Sequence, residues 1–244
     1  MSELAQTPRN PAPESYSAGY SLPRAVFRKL VHFFSYHFIL TRNRTTTTEV
    51  AGLRLTVEPT VFNPKIFLTS RFFAEFLQRH DLAGKRVIDV GTGSGILALS
   101  AARAGAAEVW AVDINPAAVR AAAANARANG LAQVTALESN LFAAVPAQLA
   151  FDVIISSPPS FSGEPRSVAD RAWHAGPAYR DIAPLFRQAR SRIAPDGVMY
   201  LLLSSDTDLK LFETWITEAG FASRLVAEHS IVVEKFLLYA LRPV

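Results

Sequence analysis

Three glycines at alternate positions, Gly91, Gly93 and Gly95, follow a short apolar run that contains an acid, Val87-Ile88-Asp89-Val90. Glycine at that spacing lets a ligand lie against bare backbone, and a helix starting behind it aims its free amides at the ligand. Ile96 to Ala104 reads as that helix. A second acid, Asp113, closes the next apolar run, Glu108-Val109-Trp110-Ala111-Val112. It stands about twenty residues beyond the glycines, where a carboxylate can accept hydrogen bonds from both ribose hydroxyls. The competing reading of Asp113 is a helix cap. A third apolar run, Phe151 to Ser156, opens into Ser157-Pro158-Pro159-Ser160. Two prolines fix the backbone there and leave carbonyls available as acceptors.

The residue types narrow the ligand. A Walker-type phosphate cradle needs Gly-Lys-Ser/Thr, and none is present. A dinucleotide fingerprint needs Gly or Ala at its sixth position, where this chain has Ile96. Asp89 would repel phosphates and attract a cation. S-adenosylmethionine carries an ammonium and a sulfonium and no phosphate, so it suits Gly91-x-Gly93-x-Gly95. A turn of purely structural purpose and a nicotinamide cofactor stand as the alternatives.

Val87 to Gly95, Ala111-Val112-Asp113-Ile114-Asn115 and Phe151 to Ser160 together resemble the class I S-adenosylmethionine-dependent methyltransferases. The resemblance spans roughly residues 61–244. It is strongest to the small-domain branch that includes the release-factor glutamine and ribosomal-RNA N-methyltransferases. It implies that Gly91, Thr92, Gly93 and Gly95 hold the methionine part of the cofactor and that Asp89 helps hold its amino group. It also implies that Asp113 binds the ribose, that Ile114 packs on the adenine, and that Asn140 stands where relatives carry an acid for the adenine amino group. The acceptor pocket is implied at Ser157, Pro158 and Phe161, with Pro159 and Ser160 on the substrate side. The sequence departs from the branch here: relatives carry Asn-Pro-Pro-aromatic, whereas Ser157 replaces the Asn and Ser160 the aromatic. A hydroxyl is a weaker, single-point acceptor than an amide oxygen. Phe161 resembles the Pro-Pro-x-Phe arrangement of certain ribosomal-RNA enzymes. Methyl transfer from a sulfonium is a displacement, so holding the acceptor lone pair in line with the methyl group supplies much of the rate.

Further candidates flank these motifs. Phe62 and Asn63 precede the first core helix; Phe62 is expected beside the site, and a helix-start signal explains the pair equally well. The polar loop from Phe161 to Tyr179 carries Trp173, His174 and Tyr179. Trp173 and Tyr179 are candidates to stack on a planar substrate or to anchor the loop. His174 is a candidate proton acceptor, against the commoner reading of a solvated loop histidine. The expected function is a methyltransferase that modifies a nitrogen of a small molecule, a peptide or a protein side chain. An RNA base is the alternative acceptor; a non-catalytic cofactor-binding protein and an NAD-dependent oxidoreductase are the rival classes.

The elements that must position these residues alternate in type. From Arg86 the order is strand, helix, strand, helix, strand, short helix, strand. Such alternation predicts an α/β fold with a parallel sheet and right-handed crossovers, and the resemblance implies a doubly wound, mostly parallel, Rossmann-like sheet of seven strands. A helix over 182–193, a strand over 198–204 and a helix over 209–219 follow. Strands near 222–228 and 235–241 form the closing antiparallel hairpin. Upstream, residues 1–20 read as a disordered tail, and residues 21–60 as an extension holding a helix from Pro23 towards Leu40 and a short strand pair or edge strand over Val50 to Val57. Thr45 to Thr48 are expected to end the helix. That helix is apolar on one face and too short and charged to span a bilayer. Packing on the domain or in a homodimer is expected for it, ahead of a substrate lid or a membrane-surface helix.

The composition sets outer bounds. The chain has 244 residues, a formal charge of +4 and no cysteine. Disulfides, thiolate metal sites and a cysteine nucleophile are excluded. Five scattered histidines offer no metal-binding spacing, so no metal is expected. Mild basicity permits a polyanion without demanding one. Met1 to Pro13 lacks an apolar segment, so no leader is expected and the cytoplasm is the expected compartment.

Overall fold

A computed structural model describes residues 44–64, 68–231 and 234–244. The expected tail and the Pro23–Leu40 helix, with its dimer and lid readings, lie outside the described residues.

The first described element is a hairpin of β1 (Thr46–Val50) and β2 (Leu53–Val57). Its turn uses Ala51 and Gly52, both at positive φ. Of the threonines expected to end a helix, Thr46 to Thr48 are therefore strand residues, as their β-branched side chains favour. Val50, Leu53 and Leu55 alternate inward and join the main core.

Helix α1 (Leu68–Gln78) leads into the sheet. The strands are β3 (Arg86–Val90), β4 (Glu108–Asp113), β5 (Val134–Glu138), β6 (Phe151–Ser156), β7 (Ile193–Ser204), β8 (Phe221–Ser230) and β9 (Lys235–Pro243). Their spatial order is β5-β4-β3-β6-β7-β9-β8. The first five pair in parallel, and β9 runs antiparallel to both β7 and β8. Helices α2 (Ile96–Arg103), α3 (Pro116–Ala128), α4 (Pro184–Arg192) and α5 (Leu209–Glu218) connect them. The chain order reverses between β3 and β6, and ligands of open α/β sheets bind outside the strand ends at such a switch point.

Period-two alternation gives the sheet two buried faces. Val87, Val109, Val153 and Ile155 pack with α1, α2 and α3 on one side. Ile88, Val112, Ile154 and Leu201 pack with α4 and α5 on the other. The short helix expected between β5 and β6 is not formed; residues 141–145 are turns, with Leu141 at positive φ. β7 starts five residues earlier than expected, at Ile193. Pro195 and Gly197 read as loop, but a register shift opposite Phe151 and Val153 absorbs them.

Candidate active site

The ends of β3, β4, β5 and β6 open into a cavity of about 390 Å³. Its wall includes Gly91, Thr92, Gly93, Asp113, Ile114 and Asn140 from the expected cofactor side. Ser157, Pro158, Pro159, Ser160, Phe161, Phe62, Trp173 and His174 from the expected acceptor side belong to the same wall. Fourteen of the seventeen expected site residues thus converge; Asp89, Gly95 and Tyr179 stand behind the wall.

The glycine turn is built from backbone. The amides of Gly91 and Thr92 both donate to the carbonyl of Val112, at 2.9 and 3.0 Å. Gly91 and Gly93 have φ of 83° and 54°. An added Cβ at either meets no protein atom within 4 Å, so both present bare backbone to open space. Gly95 differs. Its Cβ would come within 3.0 Å of Ala122 on α3 and of Leu99. The third glycine therefore serves the close packing of α2 on α3.

Asp89 is fully buried and works from beneath the turn. Its Oδ2 accepts the Thr92 hydroxyl at 2.7 Å and the Ala98 amide, in the first turn of α2, at 3.1 Å. A carboxylate at a helix N-terminus is favourably placed. Its Oδ1 is buried and has no hydrogen-bond partner among the described residues. Burial pushes the carboxyl up to about 7, against the two hydrogen bonds, and Asp113 raises it further. Asp113 is held at both oxygens, by the Gly93 amide at 2.9 Å and the Asn115 amide at 2.9 Å. Burial raises its carboxyl too. The cap reading falls to its neighbour: Asn115 caps α3 through the Ala117 amide at 3.0 Å. Ile114 is 41% exposed, an unusual apolar surface in a cavity wall. Residues 87–97 and 109–119 contain no lysine or arginine. Two carboxylates, bare glycine backbone and an exposed isoleucine fit a cationic nucleoside and do not fit a pyrophosphate.

On the acceptor side, Ser156 donates its hydroxyl to the Val90 carbonyl at 3.1 Å and ties β6 to β3. Ser157, next along, is exposed. The Phe161 and Trp173 rings stack, with centroids 5.9 Å apart and planes 6° from parallel. Phe62 leans on Trp173 at 6.5 Å. Bridges of Phe161 with His174 and of Gly163 with Gly176 fold the loop onto itself, and two 3-10 turns, Ala169–Ala172 and Pro177–Tyr179, complete it. Tyr179 is the residue for which stacking on substrate and anchoring the loop are the two expectations. It is 5% exposed, and its hydroxyl donates to the Ser160 carbonyl at 3.0 Å while accepting the Asp208 amide at 3.2 Å. It holds the diproline corner from behind. Asn63 is turned to the hairpin, where it donates to the Thr46 hydroxyl at 3.2 Å.

Sequence reasoning overlooked two contributors. Asn125, 1% exposed on α3, bonds both the N–H and the C=O of Thr56 and also the Ser94 carbonyl in the glycine turn. Asp170, 2% exposed, holds His174. The spacing of four between Asp170 and His174 is the signal that could have revealed it.

The model of the ribosomal protein L11 methyltransferase (PrmA) family matches residues 68–157. A ribosomal protein L11 methyltransferase of Deinococcus radiodurans is 50% identical over 80 residues, covering 32% of this chain and 29% of the relative. A Methanocaldococcus jannaschii protein, provisionally assigned as a protein N5-glutamine methyltransferase, is 29% identical over 198 residues, 78% of this chain and 95% of that one. Among solved structures, the T. thermophilus 16S rRNA N2 methyltransferase in complex with AdoMet and guanosine aligns with a TM-score of 0.60 at 26% identity. That alignment covers 82% of this chain and 50% of the other. In fold, motif order and sequence the chain is similar to the class I S-adenosylmethionine-dependent methyltransferases. It spans under a third of the length of the Deinococcus relative. Among the described residues no helix is long and apolar enough to cross a membrane.

Proposed function

We propose that this chain transfers a methyl group from S-adenosylmethionine to a nitrogen of a protein side chain, a peptide or a small planar molecule. The observation that carries this reading is the single cavity joining the phosphate-free glycine cradle to the Ser157–Phe161 corner. Bound there, S-adenosylmethionine supplies an electrophilic methyl group on sulfur. Gly91, Thr92 and Gly93 lie against its methionine part, with the Asp89 charge just beneath. Asp113 keeps lone pairs on both oxygens for the ribose hydroxyls, Ile114 offers an apolar face to the adenine, and Asn140 can accept from the adenine amino group. The carbonyl of Pro158 and the hydroxyl of Ser157 orient the acceptor N–H groups, so that the nitrogen lone pair faces the methyl carbon. Phe161 and Trp173 confine a flat acceptor from the side.

The Methanocaldococcus relative, which this chain covers nearly end to end, supports a protein-side-chain nitrogen. The parallel Phe161–Trp173 pair and the guanosine held by the T. thermophilus enzyme favour a second reading, an RNA base amino group. Transfer of labelled methyl groups to the protein, RNA and small-molecule fractions of a cell extract separates the two. Label confined to RNA discards the first reading, and label in no fraction discards both.

A further inference from the structure

His174 Nδ1 lies 2.8 Å from Asp170 Oδ1, four residues earlier in the loop. The other Asp170 oxygen accepts the Arg166 amide at 2.8 Å, so the buried carboxylate is fixed at both ends. The histidine backbone is fixed as well: its N–H donates to the Asp170 carbonyl at 2.9 Å, and it bridges to Phe161. The Phe161 ring stands 6.1 Å from the imidazole. A carboxylate only accepts, so the nitrogen facing it carries the proton, and in the neutral ring Nε2 keeps its lone pair. Among the described residues the imidazole makes one hydrogen bond, through Nδ1. His174 belongs to the same cavity wall as Ser157, Pro158 and Phe161. The other charged groups of that wall are Asp113, Arg171, Asp181 and Glu234, and Arg171 is paired with Asp181 at 3.2 Å.

We infer that His174, oriented by Asp170, is the proton acceptor of methyl transfer; this rests on the methyltransferase reading above. The acceptor lone pair forms the new N–C bond as the C–S bond breaks, and that bond's electron pair stays on sulfur as a thioether. The methylated nitrogen carries the positive charge and releases its proton to His174 Nε2. The N–H bonding pair returns to nitrogen. The Asp170 carboxylate stabilises the imidazolium, which passes its proton to water. Ser157 can orient a nitrogen but is too weak a base to take its proton at neutral pH. The acceptor class is thereby narrowed to weakly basic nitrogens that bear hydrogen, such as amides and aromatic amines.

The test uses the full chain, methyl-labelled S-adenosylmethionine and the three extract fractions, with His174→Gln and Asp170→Asn alongside the native protein. His174→Gln is expected to slow transfer about 100-fold, a usual contribution of a positioned base. Its affinity for S-adenosylhomocysteine stays within about twofold of native, because the ring is on the acceptor side of the cavity. The native rate falls as acid protonates His174, and this fall vanishes in His174→Gln. Asp170→Asn slows transfer about tenfold and moves the fall to lower pH, since the imidazolium loses its counter-charge. A His174→Gln variant with native rate and pH profile overturns the inference. If no fraction accepts label from the native protein, the methyltransferase reading fails first. Nitrogen-15 NMR of the histidine rings then decides His174 by itself. The inference expects a protonated Nδ1 and a bare Nε2 at mildly alkaline pH, and the reverse tautomer overturns it.

Discussion

The backbone amide of Gly93 donates to Asp113 Oδ2 over 2.9 Å, so the acid at the end of β4 also shapes the turn at the end of β3. In the proposed site, one carboxylate would thus link the two ends of the cofactor, holding the glycine turn and binding the ribose. Asp113→Ala removes both functions at once. It is expected to weaken S-adenosylhomocysteine binding about 100-fold or more, since two charge-assisted hydrogen bonds and the turn geometry are lost together. Calorimetric titration checks this, and a loss under about threefold would take Asp113 out of the ribose site.

Gly93 and Gly95 look alike in sequence and do different work. Gly95→Ala forces a Cβ to within 3.0 Å of the Ala122 backbone and adds strain at a φ of 86°. A loss of roughly 3 kcal/mol in unfolding free energy is expected from overpacking and left-handed strain. Gly93→Ala meets open space, so its stability loss is confined to about 1 kcal/mol of backbone strain, while cofactor affinity collapses. Urea unfolding and ligand titration of both variants separate the roles. Equal stability losses would contradict the assignment of Gly95 to helix packing.

The legible parts of this chain are those whose physics is local. β3, β4 and β6 are largely buried and read as mostly apolar runs ending at Val90, Asp113 and Ser156, interrupted only by Asp89 in β3 and Asp152 in β6. Asn115-Pro116 announced α3 because the cap and the first-position proline are adjacent in sequence. What stayed hidden depends on partners far along the chain. Ile193 reads as the end of a helix and residues 194–197 as loop, whereas Ile193 pairs with Phe151 on β6 and residues 194–197 fall in the register shift before Val198 meets Val153. Tyr179 reads as a substrate aromatic until Ser160 and Asp208 are seen to share its hydroxyl. Asn125 and Asn129 read as ordinary polar residues of an alanine-rich helix.

Those two asparagines dock the β1–β2 hairpin. Four residues along a helix rise about 6 Å, close to the spacing of two residues along a strand. Asn125 therefore meets Thr56 and Asn129 meets Arg54, each bonding a backbone N–H and C=O. The amide side chains act as a partner for the free edge of β2. Asn125→Ala is expected to cost roughly 2–3 kcal/mol, because it strips buried groups of Thr56 and Ser94. The exposed Asn129→Ala is expected to cost about 1 kcal/mol or less. Denaturant unfolding and hydrogen exchange at Thr56 report both; equal costs would mean that the hairpin is held by its apolar face alone.

Tyr179→Phe probes the support of the diproline corner without touching the cavity. The change removes one hydroxyl and two hydrogen bonds, to the Ser160 carbonyl and from the Asp208 amide. Turnover is expected to fall about tenfold through displacement of Ser157 and Pro158, with S-adenosylhomocysteine affinity unchanged. An unaltered rate would show that the two prolines hold the corner unaided.

Asp89 gives the protein a signed pH dependence. Its carboxyl titrates at about 7 in the folded chain, against about 3.9 in an unfolded one. Between those values the folded state binds the extra proton. Its contribution to stability is therefore fully present below about pH 4 and declines as pH rises towards 7. Above that it is lost, a change on the order of 4 kcal/mol across the window. Asp113 shifts in the same direction, so the native slope contains both. Asp89→Asn removes one and should flatten the decline of melting temperature between about pH 5 and 8. Affinity for S-adenosylmethionine runs the other way, because the ionised carboxylate attracts the cationic cofactor. It should strengthen as pH rises through about 7 in the native protein and do so less steeply in Asp89→Asn, where only Asp113 contributes. Parallel melting curves and parallel affinity curves for the two proteins would mean that Asp89 stays in one protonation state throughout this range.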